Sequence, residues 1–178
     1  MIDQLTRGPS LRTARLDLRP LTMADAPRIA TLADDFDIAR MLTRCPHPYS
    51  MAEAEALVRR GVEADPAAEA MFAIDLPGEG VIGTIGLDPD GVLAAEVGYW
   101  LGRPYWGRGY MTEAVRGLLA WARDQWARRC VTARHFVDNA ASAAVLAKAG
   151  FLYTGRTEML PCLARGEPVL NRWMVWLA

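Results

Sequence analysis

Residues 95–114 read AEVGYWLGRPYWGRGYMTEA, and this stretch decides the fold. A hydrophobic strand over 94–101 runs into a loop carrying Gly107-Arg108-Gly109, which opens directly into a helix. That order presents a row of backbone N–H groups, backed by the positive end of a helix, to an anion. Glu96 lies on the strand just upstream. A phosphate cradle beside a carboxylate points to an enzyme that binds a phosphorylated cofactor and moves a proton next to it.

Two common phosphate binders do not fit. A dinucleotide fingerprint wants Gly-x-Gly-x-x-Gly after the first strand of a βαβ unit, but here Thr112 follows Met111 and the loop lies in mid-chain. A P-loop wants Gly-Lys-Ser/Thr, which the loop lacks.

Outward from the loop, the elements follow from periodicity and caps. Upstream, ARLDLRPL (14–21) alternates and predicts a first strand, with Leu16 and Leu18 on one face. Thr22-x-x-Asp25 is a variant capping box, followed by Ala26, Ile29, Ala30 and Ala33 on one helical face. A further helical piece covers 37–43. Ser50-x-x-Glu53 caps a helix striped by Met51, Ala54, Leu57 and Val58 and closed by Pro66. Strands over 71–76 and 81–87 are bounded by Pro77-Gly78 and Asp88-Pro89-Asp90-Gly91. Downstream, the helix from Tyr110 places Met111, Val115, Leu118, Leu119 and Ala122 on one face. A strand over 130–137, a helix over 140–149 ended by Gly150, and strands over 151–157 and 171–177 complete the chain. The sum is an α/β (α+β) domain with a mixed sheet.

Composition narrows the class. The 178 residues suit one domain able to bury roughly 70% of its unfolded surface. Twenty basic and 21 acidic residues leave a net charge of −1, so no global field draws nucleic acid or an anionic membrane. No apolar run reaches the roughly 18 residues of a membrane span, and no signal peptide opens the chain. Cys45, Cys130 and Cys162 are odd in number and lack CxxC spacing, which suits a reducing, cytoplasmic setting and thiols that are buried or neutral rather than nucleophilic. His47 and His135 lack further ligands at metal spacing, so no metal is expected.

A second cluster lies in VDNAASAAVLAKAGF (137–151). Asn139 or Asp138 can cap the helix that follows, Ser142 sits in its first turn, and Lys148 in its last turn complements the dipole.

Together the two segments, with the opening LRTARLDLRPLTMADA, resemble the GCN5-related N-acetyltransferase (GNAT) superfamily, in its RimJ/RimL-like branch of ribosomal-protein N-terminal acetyltransferases. The resemblance spans about residues 11–178 and leaves 1–10 as an N-terminal extension. It implies a central mixed sheet of about six to seven strands, flanked by about four helices, with a splayed central strand pair forming the cofactor cleft. It also implies acetyl-coenzyme A as donor and a primary amine as acceptor, with a catalytically idle acetyl-CoA sensor as the alternative. A homodimer is possible in that family.

The resemblance assigns roles by position. The pantetheine arm pairs with the strand edge near Tyr99, Trp100 and Leu101, as an added strand would. The pyrophosphate rests on N–H groups from Trp106 through Gly107, Arg108, Gly109, Tyr110 and Met111 to Thr112. Glu96 is the base, working through water. The family's usual tyrosine falls at Leu146 in this chain, so Ser142 becomes the leading donor to the departing thiol, with Tyr153 in reserve. Asn139 contacts the cofactor arm or a water. Lys148 either approaches a nucleotide phosphate or is a solvated helix end. The loop carries Pro104 beside Arg103, where the family places Gln or Arg. Acceptor choice falls to 34–50 and 158–170, where Arg44 and Arg165 are either contacts for an acidic acceptor or merely exposed.

Overall fold

Alternating and helical periodicities both become real elements in the computed structural model, which describes residues 8–90 and 94–178. Residues 1–7 of the extension and Gly91 lie outside the described residues, while Asp88, Pro89 and Asp90, expected to bound the strand over 81–87, pair with Glu96, Ala95 and Ala94 as the end of β4. The chain runs β1 (Leu11–Arg12), β2 (Asp17–Pro20), α1 (Ala26–Ala33), α2 (Phe36–Ala39), α3 (Met51–Glu63), β3 (Ala70–Leu76), β4 (Gly80–Asp90) and β5 (Ala94–Leu101). It continues with α4 (Tyr110–Asp124), β6 (Cys130–Phe136), α5 (Ala140–Lys148), β7 (Leu152–Cys162) and β8 (Glu167–Leu177).

The eight strands form one sheet in the order β1-β2-β3-β4-β5-β6-β8-β7. Among these neighbours β5 and β6 are parallel and the other pairs antiparallel. Side-chain alternation sorts the strands onto two faces. Ala95, Val97 and Leu101 of β5 join a core with Val115 and Leu118 of α4 and Leu146 of α5. On the opposite face Ile29 of α1 and Ala54 and Val58 of α3 cover Ala73 and Val81, with Trp100 packed against them.

Both predicted capping boxes form. The Asp25 carboxylate accepts from the Thr22 N–H at 2.8 Å, and the Glu53 carboxylate accepts from the Ser50 N–H at 2.6 Å. Other spans differ from the sequence reading. The 14–21 strand shortens to β2 at Asp17–Pro20, and a separate β1 at Leu11–Arg12 precedes it across a turn in which the Thr13 N–H donates to the Leu16 carbonyl at 2.9 Å. The helical piece over 37–43 is the shorter α2, capped by Asp35 through the Asp37 N–H at 2.8 Å. The last two strands are longer than 151–157 and 171–177. They pair as a hairpin from Leu152–Val175 to Cys162–Glu167, with a register shift between Tyr153 and Thr157.

One irregularity in the sheet creates the site. β4 pairs with β5 along its whole length, from Ala94 to Leu101. On its other side β5 pairs with β6 only at Ala95–Val131, Glu96–Thr132 and Val97–Ala133. Beyond Val97 the two strands part, and their C-terminal ends lead into the glycine loop and α5. This is the splayed central pair that the resemblance implies.

Candidate active site

The loop between β5 and α4 is held in a shape that only glycine adopts easily. Gly107 and Gly109 have φ of +73° and +77°, in the left-handed region that side chains disfavour. Space over Gly107 is open, since a Cβ there meets no atom within 4 Å. Tyr110, Met111 and Thr112 open α4, so their N–H groups have no carbonyl a turn earlier within the helix to bond to. Not every expected donor is free. The Trp106 N–H donates to the Arg103 carbonyl at 3.2 Å, and its indole N–H donates to the Leu101 carbonyl at 2.7 Å. Trp106 is therefore spent on closing the loop. The residue is nevertheless 43% exposed, leaving it as a wall of the loop. Met111 and Leu101 turn their side chains into the core and offer only backbone. Arg103 pairs with Asp37 at 3.0 Å, toward α2, and Pro104 lies within the short 3₁₀ turn that leads to the loop.

Arg15, which sequence reasoning passed over, braces the cradle. Its Nη1 donates to the Arg108 carbonyl at 3.0 Å, and its guanidinium lies 4.5 Å over the Tyr110 ring. Its Nε and backbone N–H both donate to Glu113, each at 2.7 Å. Glu113 also accepts from the Thr13 hydroxyl at 2.7 Å. Burial raises the Glu113 carboxyl, but the hydrogen bonds from Thr13 and Arg15 outweigh it and hold the carboxyl below the usual range. A negative charge in the first turn of α4 is thus answered by a cation before any anion arrives. Beside it a cavity of about 620 Å³ is lined by Arg12, Gly109, Thr112, Arg116 and Lys148 among others, which places Lys148 next to the cradle.

Opposite the cradle, α5 starts at Asn139, whose side-chain oxygen accepts from the Ser142 N–H at 3.0 Å. The cap role of Asn139 is real. Its amide nitrogen is the end left for a ligand or a water. Ser142 Oγ lies 2.9 Å from the hydroxyl of Tyr99, so a side chain of β5 meets the first turn of α5 across the splay. Burial pushes the Tyr99 phenol up to about 12 despite the Ser142 bond, so it stays protonated across neutral pH. Leu146, where the family's tyrosine falls, is fully buried in the core. Tyr153 is half-exposed, and its hydroxyl contacts His135 Nε2 at 3.0 Å. The other ring nitrogen lies 2.8 Å from the Phe136 carbonyl, so Nδ1 carries the proton and Tyr153 donates.

Glu96 lies at the last paired stretch of β5, on the strand face that also carries Trp100. Both of its oxygens accept from Arg134, Nε and Nη2 each at 2.6 Å. Arg134 in turn lies 4.7 Å over the Trp173 ring. The fork engages the carboxylate but leaves it lone pairs for a water, and its side chain is 22% exposed.

Segments 34–50 and 158–170, to which the resemblance assigns acceptor choice, meet. The Leu163 N–H donates to the Thr43 carbonyl at 3.3 Å, and Arg165 Nε donates to the Arg40 carbonyl at 2.7 Å. Arg165 also forks onto Asp138 at 2.8 and 3.1 Å, with only 16% of its side chain exposed. It is an internal tie, not a free arm, whereas Arg44 is exposed. Burial pushes the Cys45 thiol up to about 11, far from a reactive thiolate. Among the described residues no group of His, Cys, Asp and Glu is placed to hold a metal, and no helix is long and apolar enough to cross a membrane.

Solved structures with the same fold are numerous. A GNAT-family acetyltransferase from Bacillus anthracis superposes with a TM-score of 0.83 at 19% identity, covering 95% of this chain and 98% of that one. The microcin C7 self-immunity acetyltransferase MccE, solved with acetyl-CoA and AMP, gives 0.83 at 15% identity, covering 98% and 100%. RimL, a ribosomal-protein alpha-N-acetyltransferase solved with coenzyme A, gives 0.82 at 20% identity, covering 95% and 98%. No curated protein matches the sequence. Residues 15–152 match the acetyltransferase (GNAT) domain, and the chain therefore belongs to the GNAT acetyltransferase family.

Proposed function

We propose that this protein is an acetyl-CoA-dependent N-acetyltransferase of the RimJ/RimL-like branch, acting on a primary amine such as a protein N-terminus. The observation that carries the reading is the parting of β5 from β6 beside a loop built on two left-handed glycines. The parted edge of β5 at Tyr99 and Trp100 suits an extended pantetheine arm. The N–H groups of Gly107 to Thr112 suit its pyrophosphate, with Lys148 in reach of the nucleotide end. The thioester supplies an activated acetyl group. Glu96 takes a proton from the attacking nitrogen through water, and Ser142 donates a hydrogen bond to the sulfur as the C–S bond breaks. The sulfur leaves as a thiolate held by that hydrogen bond and takes a proton from solvent water, and Glu96 returns its own proton to solvent, so that one proton leaves nitrogen and one joins sulfur.

Two outcomes follow. Calorimetry should show coenzyme A binding, and a thiol-release assay over peptides and small amines should find turnover. Glu96→Gln should then lower kcat/KM at neutral pH by about 10²–10⁴-fold with cofactor affinity kept. Full activity in that variant removes Glu96 as the base. The Arg134 fork on Glu96 favours one other reading, a cofactor sensor, which tight binding without thiol release from any amine would establish. Arg15→Ala should weaken coenzyme A binding about 10-fold, equivalent to about 1.4 kcal/mol, because Glu113 would then face the phosphates without its counter-ion. Unchanged affinity would show that Arg15 serves the fold alone.

A further inference from the structure

Of the two strands that part, β5 sends one phenol across the gap. Tyr99 is on the α4/α5 face of the sheet, and its hydroxyl reaches Ser142 Oγ at 2.9 Å and the Ser142 carbonyl at 3.5 Å. Both acceptors available to the phenol therefore belong to one residue. The serine is itself held from behind, since its N–H donates to the Asn139 side chain at 3.0 Å. Leu146, one turn further on, is fully buried and gives no hydroxyl to the cleft.

A serine hydroxyl that must donate to sulfur faces a rotational problem. Its one proton can point to several acceptors, and its oxygen has two lone pairs that attract other donors. A phenol is a much better donor than an alkyl alcohol, having an ordinary pKa of about 10. Between two hydroxyls in contact, the phenol gives and the alcohol accepts. With its oxygen occupied on the Tyr99 side, the Ser142 proton is left to point elsewhere.

We propose that Tyr99 is a positioning residue: its O–H donates to Ser142 Oγ and so directs the serine's own proton toward the departing sulfur. Burial keeps the phenol protonated, so the bond persists throughout the working range. No proton need leave Tyr99, and the serine donates a hydrogen bond without becoming an alkoxide. The inference rests on the acetyltransferase reading above, and it makes a distinct claim: two residues from different elements act as one unit.

The test is a double-mutant cycle with Tyr99→Phe and Ser142→Ala, using the amine that gives most thiol release. Each single variant should lose about 10-fold in kcat, and the double variant should lose no more than either alone, because residues acting as a unit are not additive. Coenzyme A affinity by calorimetry should stay within about 3-fold of wild type, a change of under 1 kcal/mol. A readout that needs no acceptor comes from the ultraviolet absorbance of the bound coenzyme A thiolate. Both single variants should raise the apparent thiol pKa equally, since both remove the same hydrogen bond to sulfur. Additive losses in kcat, or a Tyr99→Phe variant that loses affinity while keeping kcat, would make the phenol a simple wall of the cleft and overturn the proposal. Failure of the wild-type protein to bind coenzyme A would instead overturn the parent reading, and this inference with it. A thermal melt of Tyr99→Phe checks the fold, and Ser142→Ala probes the same bond from its other end.

Discussion

Gly83→Ala is expected to destabilise the protein by about 3 kcal/mol, the upper end of typical overpacking costs. Gly83 lies opposite Leu101 in the β4–β5 ladder. A Cβ there would stand 2.3 Å from the Trp100 carbonyl oxygen and 3.0 Å from the Leu101 Cα. Both are backbone atoms, so no rotamer change relieves the clash and the strands must move apart. The strand that moves is the wall of the cleft. Urea denaturation should report the loss, and coenzyme A affinity should fall with it. Gly98→Ala is the matched control, because a Cβ at Gly98 meets nothing within 4 Å. It should alter stability by no more than about 0.5 kcal/mol, as for other open sites. Wild-type stability in Gly83→Ala would mean that the ladder is looser than its geometry.

Arg19→Met carries the other large effect. The Arg19 guanidinium donates to both oxygens of Asp25, at 2.8 and 2.9 Å, and to Asp75 at 2.7 Å. Asp25 is buried. Removing the cation strands a carboxylate in the protein interior, a change that costs roughly 3–5 kcal/mol. For a chain of this size that is a drop in Tm of about 10 °C.

The pH dependence separates this from simple loss of packing. Burial alone raises the Asp25 carboxyl, but the Arg19 fork and the Thr22 N–H outweigh it and hold it below the usual range. A carboxyl depressed in the folded state adds stability that is complete above its unfolded pKa, about 4, and is lost as pH falls through the lower folded value. Wild type should therefore weaken below about pH 4. In Arg19→Met burial acts unopposed by the guanidinium and raises the carboxyl, so stability should improve on acidification from neutral pH. The gap between the two proteins should narrow toward pH 4, as measured by melts at stepped pH. A gap constant with pH would assign the loss to packing alone.

The order of elements was legible because it rests on local rules. Gly107 and Gly109, the capping boxes at Thr22 and Ser50, and the apolar stripe of α4 each act within a few residues. The expected donors at Gly107 to Thr112 follow from the same local logic, and so does the Asn139 cap. What remained hidden is long-range. The Tyr99–Ser142 contact joins residues 43 apart, the Glu96–Arg134 fork 38 apart, and the Arg15–Glu113 pair 98 apart. No periodicity encodes such partners; the sheet order brings them together. Arg134 alone left a faint trace, since it shares its strand parity with Thr132, which lies opposite Glu96. The extent of β7 was hidden for another reason. It is the edge strand and nearly all of it is exposed, so it needs no apolar alternation to announce it. Arg165 offered only two readings, an acceptor contact or an exposed side chain, because the partners that make it an internal tie, at Arg40 and Asp138, come from elsewhere in the chain.

The strict alternation of β5 has a consequence for how this protein tolerates change. Glu96 points to one side of the sheet and Tyr99 to the other, while the backbone between them is the partition. Deleting a single residue such as Gly98 would leave Glu96 in register with β6 and turn everything after it over, sending the phenol toward α1 and α3 and the Trp100 indole toward α5. Substitutions can therefore retune either side separately, but the length of this strand is not free to drift. Insertions and deletions of the kind tolerated in surface loops should dismantle the site here.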